Sequence, residues 1–123
     1  MARIVHFEIS VDDADRAAAF YRDAFGWRID KWDGGIEYWM VTTGKDSEAG
    51  INGALTPRHR GTTTVNIIDV PSIDEAIECV VTAGGQAVTE VMPIPGVGKS
   101  CYCTDTEGNT FGLIEAEPDG LSI

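Results

Sequence analysis

His6 and Glu8 are separated by a single residue in the stretch RIVHFEISV, residues 3–11. If that stretch is extended, its period of two sets both side chains, with Ser10, on one face and leaves Phe7, Ile9 and Val11 on the other. An imidazole beside a carboxylate in a partly desolvated setting is a proton-transfer pair, one group taking a proton while the other supplies one. The same two residues also make an ordinary hydrogen-bonded pair of a core or an interface, so both roles are carried forward. Ser10 and Thr64 are expected to line the same surface.

The other side chains with binding chemistry lie further along. Trp27, Trp32, Tyr38, Trp39 and Tyr102 offer flat faces suited to planar or glycopeptide-like molecules. Alternation puts Tyr38 with Met40 and Trp39 with Val41, without saying which pair a ligand would meet. TPRHRG, residues 56–61, is a basic island in an acidic chain. Arg58 and Arg60 within it have the forked donors that grip a carboxylate or phosphate, a solvated linker being the plainer reading. MPIPGVGK, residues 92–99, is rich in Pro and Gly and is expected to be a loop that could cover a pocket. Its GVGK lacks the spacing of a phosphate-binding loop. Cys101 and Cys103 would share one strand face without a second pair of ligands, which is too little for a zinc or redox site.

These residues need elements to hold them. Asp12 and Asp13 offer an N-cap, and Ala17, Phe20, Tyr21 and Ala24 then follow at helical spacing. Gly26 can close that helix in the left-handed conformation. WRIDKWD, IEYWMVTTG and GINGAL read as three short strands. The second half repeats the order. TTVNIIDV is a strand, and Ser72 with Glu75 forms a capping box before the apolar face of Ile73, Ala76, Ile77, Val80 and Val81. QAVTEV, KSCYCTD and NTFGLIEAE complete the run.

A shift of 59 positions pairs Ile9 with Ile68, Val11 with Val70, Ala17 with Ala76 and Gly26 with Gly85, and it still holds at Gly53 with Gly112. The matches coincide with matched caps, strands and helix ends, which points to an internal duplication. The expected fold is α+β: two tandem β-α-β-β-β modules, residues 1–56 and 63–117, with a linker at 57–62 and a tail at 118–123. Each helix would cover one sheet face, and the two sheets would curve into a half-open barrel around a small-molecule ligand. Unpaired strand edges lead us to expect a homodimer.

Composition narrows the function. The chain has 123 residues and a formal charge of −11, with nine Lys plus Arg against twenty Asp plus Glu. That balance repels a phosphate backbone, so nucleic acid is not expected as a partner. The opening MARIVHFEISV lacks the layout of a signal peptide, and no apolar run reaches the roughly 18 residues of a spanning helix. A cytoplasmic protein with no membrane partner is expected, its three cysteines reduced.

His6 on the first strand, the AFYRDAFGW helix end, the paired modules and the closing DTEGNTFGLIE together resemble the vicinal-oxygen-chelate superfamily. That group includes glyoxalase I, extradiol dioxygenases, fosfomycin-resistance transferases and metal-free bleomycin-resistance proteins. The resemblance implies a divalent-metal site in the metal-dependent members, built from one ligand on the first and one, usually Glu, on the fourth strand of each module. Those positions correspond here to His6, Gly53, Val65 and Gly112. Glycine and valine offer no lone pair, and a divalent ion needs about three protein ligands. Among their immediate neighbours, Asn52, Ala54, Thr64, Asn66, Phe111 and Leu113 supply no good replacement. The resemblance therefore implies a metal-free, bleomycin-resistance-like binder with no cofactor, whether or not it also turns its ligand over. The alternative is a metal-dependent glyoxalase, lyase or dioxygenase with an altered site in which Glu8, Glu37 or Glu115 joins His6.

Overall fold

The computed structural model describes residues 2–59 and 61–118. Its element order is β1 (Arg3–Val11), α1 (Ala14–Phe25), β2 (Arg28–Lys31), β3 (Trp39–Thr42), β4 (Asn52–Pro57), β5 (Thr64–Asp69), α2 (Ile73–Thr82), β6 (Gln86–Ala87), β7 (Met92–Ile94), β8 (Gly98–Thr104) and β9 (Thr110–Ala116). The fold is α+β, and strand and helix follow one another as the patterning predicts. The chain separates into two compact units. One is His6–Val65; the other comprises the described residues from Asn66 onward together with the chain's start up to Val5.

In the first unit the strands run β2-β3-β4-β1, with β1 and β4 parallel and the other neighbours antiparallel. Asp13 caps α1 by accepting a hydrogen bond from the Arg16 backbone N–H at 3.0 Å, and Gly26 closes it at φ 72°. The helix packs Ala14, Ala17, Ala18 and Tyr21 onto Phe7, Ile9, Val11, Ile29, Val41 and Leu55. This stripe differs from the expected one. Phe20 is 58% exposed, so it does not wedge the helix onto the sheet. Two apolar stripes of α1 satisfy the same spacing, and the one bearing the small alanines lets the helix approach the sheet closely. Phe20 instead meets Tyr21 edge-on at 5.0 Å, and Tyr21 stacks on Trp27 at 5.0 Å and 7°.

The second unit runs β5-β9-β8-β6, with β5 and β9 parallel. Ser72 caps α2 by accepting from the Glu75 N–H at 3.3 Å, and the Ile73 N–H donates to the Glu115 carboxylate at 2.9 Å. A carboxylate at the positive end of a helix is favoured by the aligned peptide dipoles. Ile73, Ala76, Ile77 and Val80 face a core of Ile68, Val70, Cys101, Cys103 and Leu113, whereas Val81 is 56% exposed. Burying each such aliphatic side chain contributes about 1.5–3 kcal/mol.

Two expectations change here. The helix end matching Gly26 is Gly84, at φ 104°, rather than Gly85, because α2 stops earlier than the 59-residue shift requires. Met92–Lys99 is a hairpin rather than the expected loop. Met92–Ile94 pairs with β8 as a hairpin, Met92 opposite Ser100 and Ile94 opposite Gly98.

Candidate functional site

Strand register decides which side chains accompany His6. β1 sets Phe7 against Gly53, Glu8 against Ala54 and Ser10 against Thr56, and β3 sets Met40 against Ala54. Phe7, Ile9, Val11 and Leu55 belong to the core under α1. His6, Glu8, Ser10, Asn52, Ala54, Thr56 and Met40 therefore occupy the opposite face. His6, Glu8, Ser10 and Thr56 are all buried, at 1, 6, 7 and 6% exposure.

Tyr38 reaches this face from the connection between β2 and β3, its hydroxyl 2.6 Å from His6 Nε2 and the two rings 8° from parallel. Burial lowers the imidazole pKa from 6.5 to about 4, because desolvation disfavours the charged form, so the ring is neutral at pH 7. A neutral imidazole has one N–H and one lone pair. If Tyr38 donates to Nε2, then Nδ1 holds the N–H; if Nε2 donates to Tyr38, then Nδ1 holds the lone pair. In both tautomers Nδ1 is buried and has no partner among the described residues. Leaving such an atom unsatisfied costs about 1–3 kcal/mol.

Ser10 sits further along β1, its hydroxyl 2.8 Å from that of Thr62. Thr62 donates its proton to the His59 carbonyl at 2.7 Å, so Ser10 is the donor to Thr62 and keeps its lone pairs. Thr64, expected to line this surface, is exposed. Thr56 Oγ1, opposite Ser10, is a second buried polar atom with no partner among the described residues.

The remaining candidates separate. Trp39 packs in the core beneath α1, with the Lys31 ammonium 5.6 Å from its ring centre, so it is not brought to His6. Its neighbour Tyr38 is. Arg58 donates to Asp12 at 2.9 Å and to the Thr62 carbonyl at 3.0 Å, and it ties down the connection after β4. Arg60 lies outside the described residues. Tyr102 stands opposite Gly112 in the second unit, half-buried and on the sheet face away from α2. Glu115 is committed to the N-terminus of α2, with Lys99 at 3.7 Å. Glu37 is exposed.

The side chains at the implied metal positions do not fit a metal. Gly53 is on the Phe7 side of the sheet, since a Cβ there would fall 2.4 Å from the Phe7 ring; the β4 residues on the His6 face are Asn52 and Ala54. The Asn52 carbonyl oxygen already accepts from the Thr43 N–H at 2.9 Å. Val65 is 1% exposed and carries no donor. At Gly112 the space of a side chain is filled by Ile67, whose Cδ1 lies 2.4 Å from where a Cβ would be. Among the described residues no three His, Cys, Asp or Glu side chains converge. Thr62 and Thr56 had no role in the sequence reading, and Asn52 entered it only as a neighbour of Gly53 that makes a poor metal ligand. For Thr56 and Asn52, both on β4, the signal is the period of two, usable only once the partner strand and its register are known; Thr62 lies in the connection before β5 and has no such signal.

Residues 3–44 match the family described as Bleomycin resistance protein-like N-terminal. CFP32 of Mycobacterium tuberculosis, named as a glyoxylase, is 28% identical over 114 residues, 89% of this chain and 44% of its own length. The chain thus spans about half the length of that relative. A glyoxylase-like domain-containing protein of Didymella fabae is 28% identical over 90% of this chain and 91% of its own. A methylmalonyl-CoA epimerase of Streptomyces coelicolor, solved with 2-nitronate-propionyl-CoA, superposes with a TM-score of 0.69 at 16% identity, over 98% of each chain. The fold is that of the glyoxalase and bleomycin-resistance proteins, and the family match and the relatives support the resemblance to the vicinal-oxygen-chelate superfamily.

Proposed function

We propose that this protein binds a small organic molecule on the sheet face that carries His6, without a resident metal. One observation carries the reading: a buried, neutral imidazole is oriented by Tyr38 and keeps Nδ1 unpartnered among the described residues. A polar ligand atom at Nδ1 would recover the free energy of that unsatisfied group. Polar groups in an otherwise apolar surface are how small-molecule sites set orientation. Of the four implied metal positions only His6 carries a ligand, Val65 being isopropyl and Gly53 and Gly112 bare backbone, which supports the metal-free form.

The ligand class is drawn from chemistry shared with the relatives. Glyoxylase-named homologues and an epimerase solved with an acyl-CoA analogue point to small carbonyl compounds, free or as thioesters. Such compounds present a carbonyl or enol oxygen able to accept from, or donate to, Nδ1. With a carbon acid bound, proton transfer would run through His6, with Glu8 two residues along the same face. A second copy of the chain completes the proposal, supported by the apolar rings of Phe20 and Phe25 left 58% and 62% exposed on α1.

The test is a binding screen of α-keto acids, aromatic carbonyl compounds and acyl-CoA thioesters, followed by the His6 ring resonances. A ligand that shifts those resonances and loses at least tenfold in affinity in His6→Phe supports the proposal. Ligands that bind only when a divalent ion is added would refute it and favour the metal-dependent glyoxalase or dioxygenase alternative.

A further inference from the structure

The outward side of α1 is complementary to itself. Arg16, Ala19, Phe20 and Asp23 stand at i, i+3, i+4 and i+7 and form one exposed stripe, turned away from the side that packs on the sheet. Arg16 and Asp23 enter none of the ion pairs among the described residues. Phe20, 58% exposed, is met edge-on by Tyr21 at 5.0 Å and by Phe25 at 6.4 Å. A large ring set in place at the surface loses little freedom when a partner covers it.

We infer that a second copy of the chain docks on this stripe, α1 of one copy lying antiparallel against α1 of the other about a two-fold axis. The inference rests on the second-copy part of the function proposed above and names its contact; it uses nothing of the His6 face.

Symmetry fixes the pairing. An axis midway between Ala19 and Phe20 sets Arg16 level with Asp23 of the other copy, because the two are equally distant from that midpoint, and it makes the same contact twice. Phe20 then lies about 0.75 Å along the helix from the axis, half the rise of one residue, and meets its own copy there. The methyl of Ala19 lets the two helix axes approach. A parallel arrangement would instead set Arg16 level with Arg16 and Asp23 with Asp23.

The charges also select the occupant. A purely apolar stripe would accept any apolar partner, whereas a cation and an anion placed evenly about a central aromatic match a copy of themselves, as a self-complementary contact requires. Two chains of charge −11 repel one another. Opposite charges along the seam offset that repulsion locally and set the register.

Sedimentation equilibrium of the full chain tests this, taken up to about 500 µM because a seam of one helix pair is a small interface. Monomer and dimer in equilibrium are expected, and Phe20→Ser should leave only monomer. Arg16→Asp and Asp23→Arg should each weaken the dimer at least tenfold, although the second brings the chain nearer neutrality and would strengthen an association governed by net charge. An equimolar mixture of these two variants should regain dimer, since every seam contact again joins opposite charges, and the double variant should regain it for the same reason. Both substitutions agree with the helix dipole, acid toward the N-terminus and base toward the C-terminus, so α1 keeps its fold. A parent chain that stays monomeric, a dimer that the single substitutions leave unchanged, or a mixture and double variant no better than the single ones would overturn the inference. Failure of ligands at His6 with this dimer intact refutes only the ligand proposal, and a monomer that binds ligands through His6 refutes only the dimer.

Discussion

The Tyr38 hydroxyl and His6 Nε2 are 2.6 Å apart, and this contact joins a residue of an exposed connection to the most buried ionisable ring of β1. Removing the hydroxyl leaves the buried Nε2 without its described partner. Tyr38→Phe should therefore lower the unfolding free energy by about 1–3 kcal/mol. Urea denaturation measures it, and a change within error would mean that the contact does not form in solution.

Acidification should act through the same ring. The folded-state pKa of His6 is lowered from 6.5 to about 4, so between those values the unfolded chain binds the proton and the folded one does not. Stability rises with pH wherever the unfolded state holds more protons. The contribution of His6 is thus fully present above about pH 6.5 and falls as the pH drops toward 4, by about 3 kcal/mol at 1.36 kcal/mol for each unit of pKa. Unfolding midpoints of the parent and His6→Phe over that interval test it; parallel curves would contradict the burial of a neutral ring.

The three cysteines should divide by reactivity. Cys79 is exposed, whereas Cys101 and Cys103 are buried in the core under α2. Burial, with a smaller contribution from neighbouring Cys103, raises the Cys101 thiol to about 12, and burial raises Cys103 as well. The thiolate is the reactive form. Ellman's reagent at pH 8 should modify one thiol per native chain promptly and the other two only after denaturation. Prompt modification of all three would show that this core opens readily.

The sequence made the backbone plan legible because its signals are local. Asp13, Ser72 and Gly26 stand where caps are needed, and their geometry is set by residues no more than four positions away. What escaped was the side to which a residue points. Gly53, which the resemblance aligned with His6, lies under α1, and so does Trp39, whose side alternation alone left open, because a strand has two faces and only the partner strand says which is which. Helix α1 posed the same ambiguity, with a stripe through Phe20 and another through Ala18 both apolar. The bond between His6 and Tyr38 spans 32 residues and has no sequence signal at all.

On the proposed function, His6 meets an organic ligand rather than an ion. Elemental analysis of protein purified without chelators, for nickel, zinc, iron, manganese and cobalt, bears on it most directly. Far less than one metal per chain is expected, and the same small amount in His6→Phe. About one metal per chain in the parent, lost in His6→Phe, would contradict it.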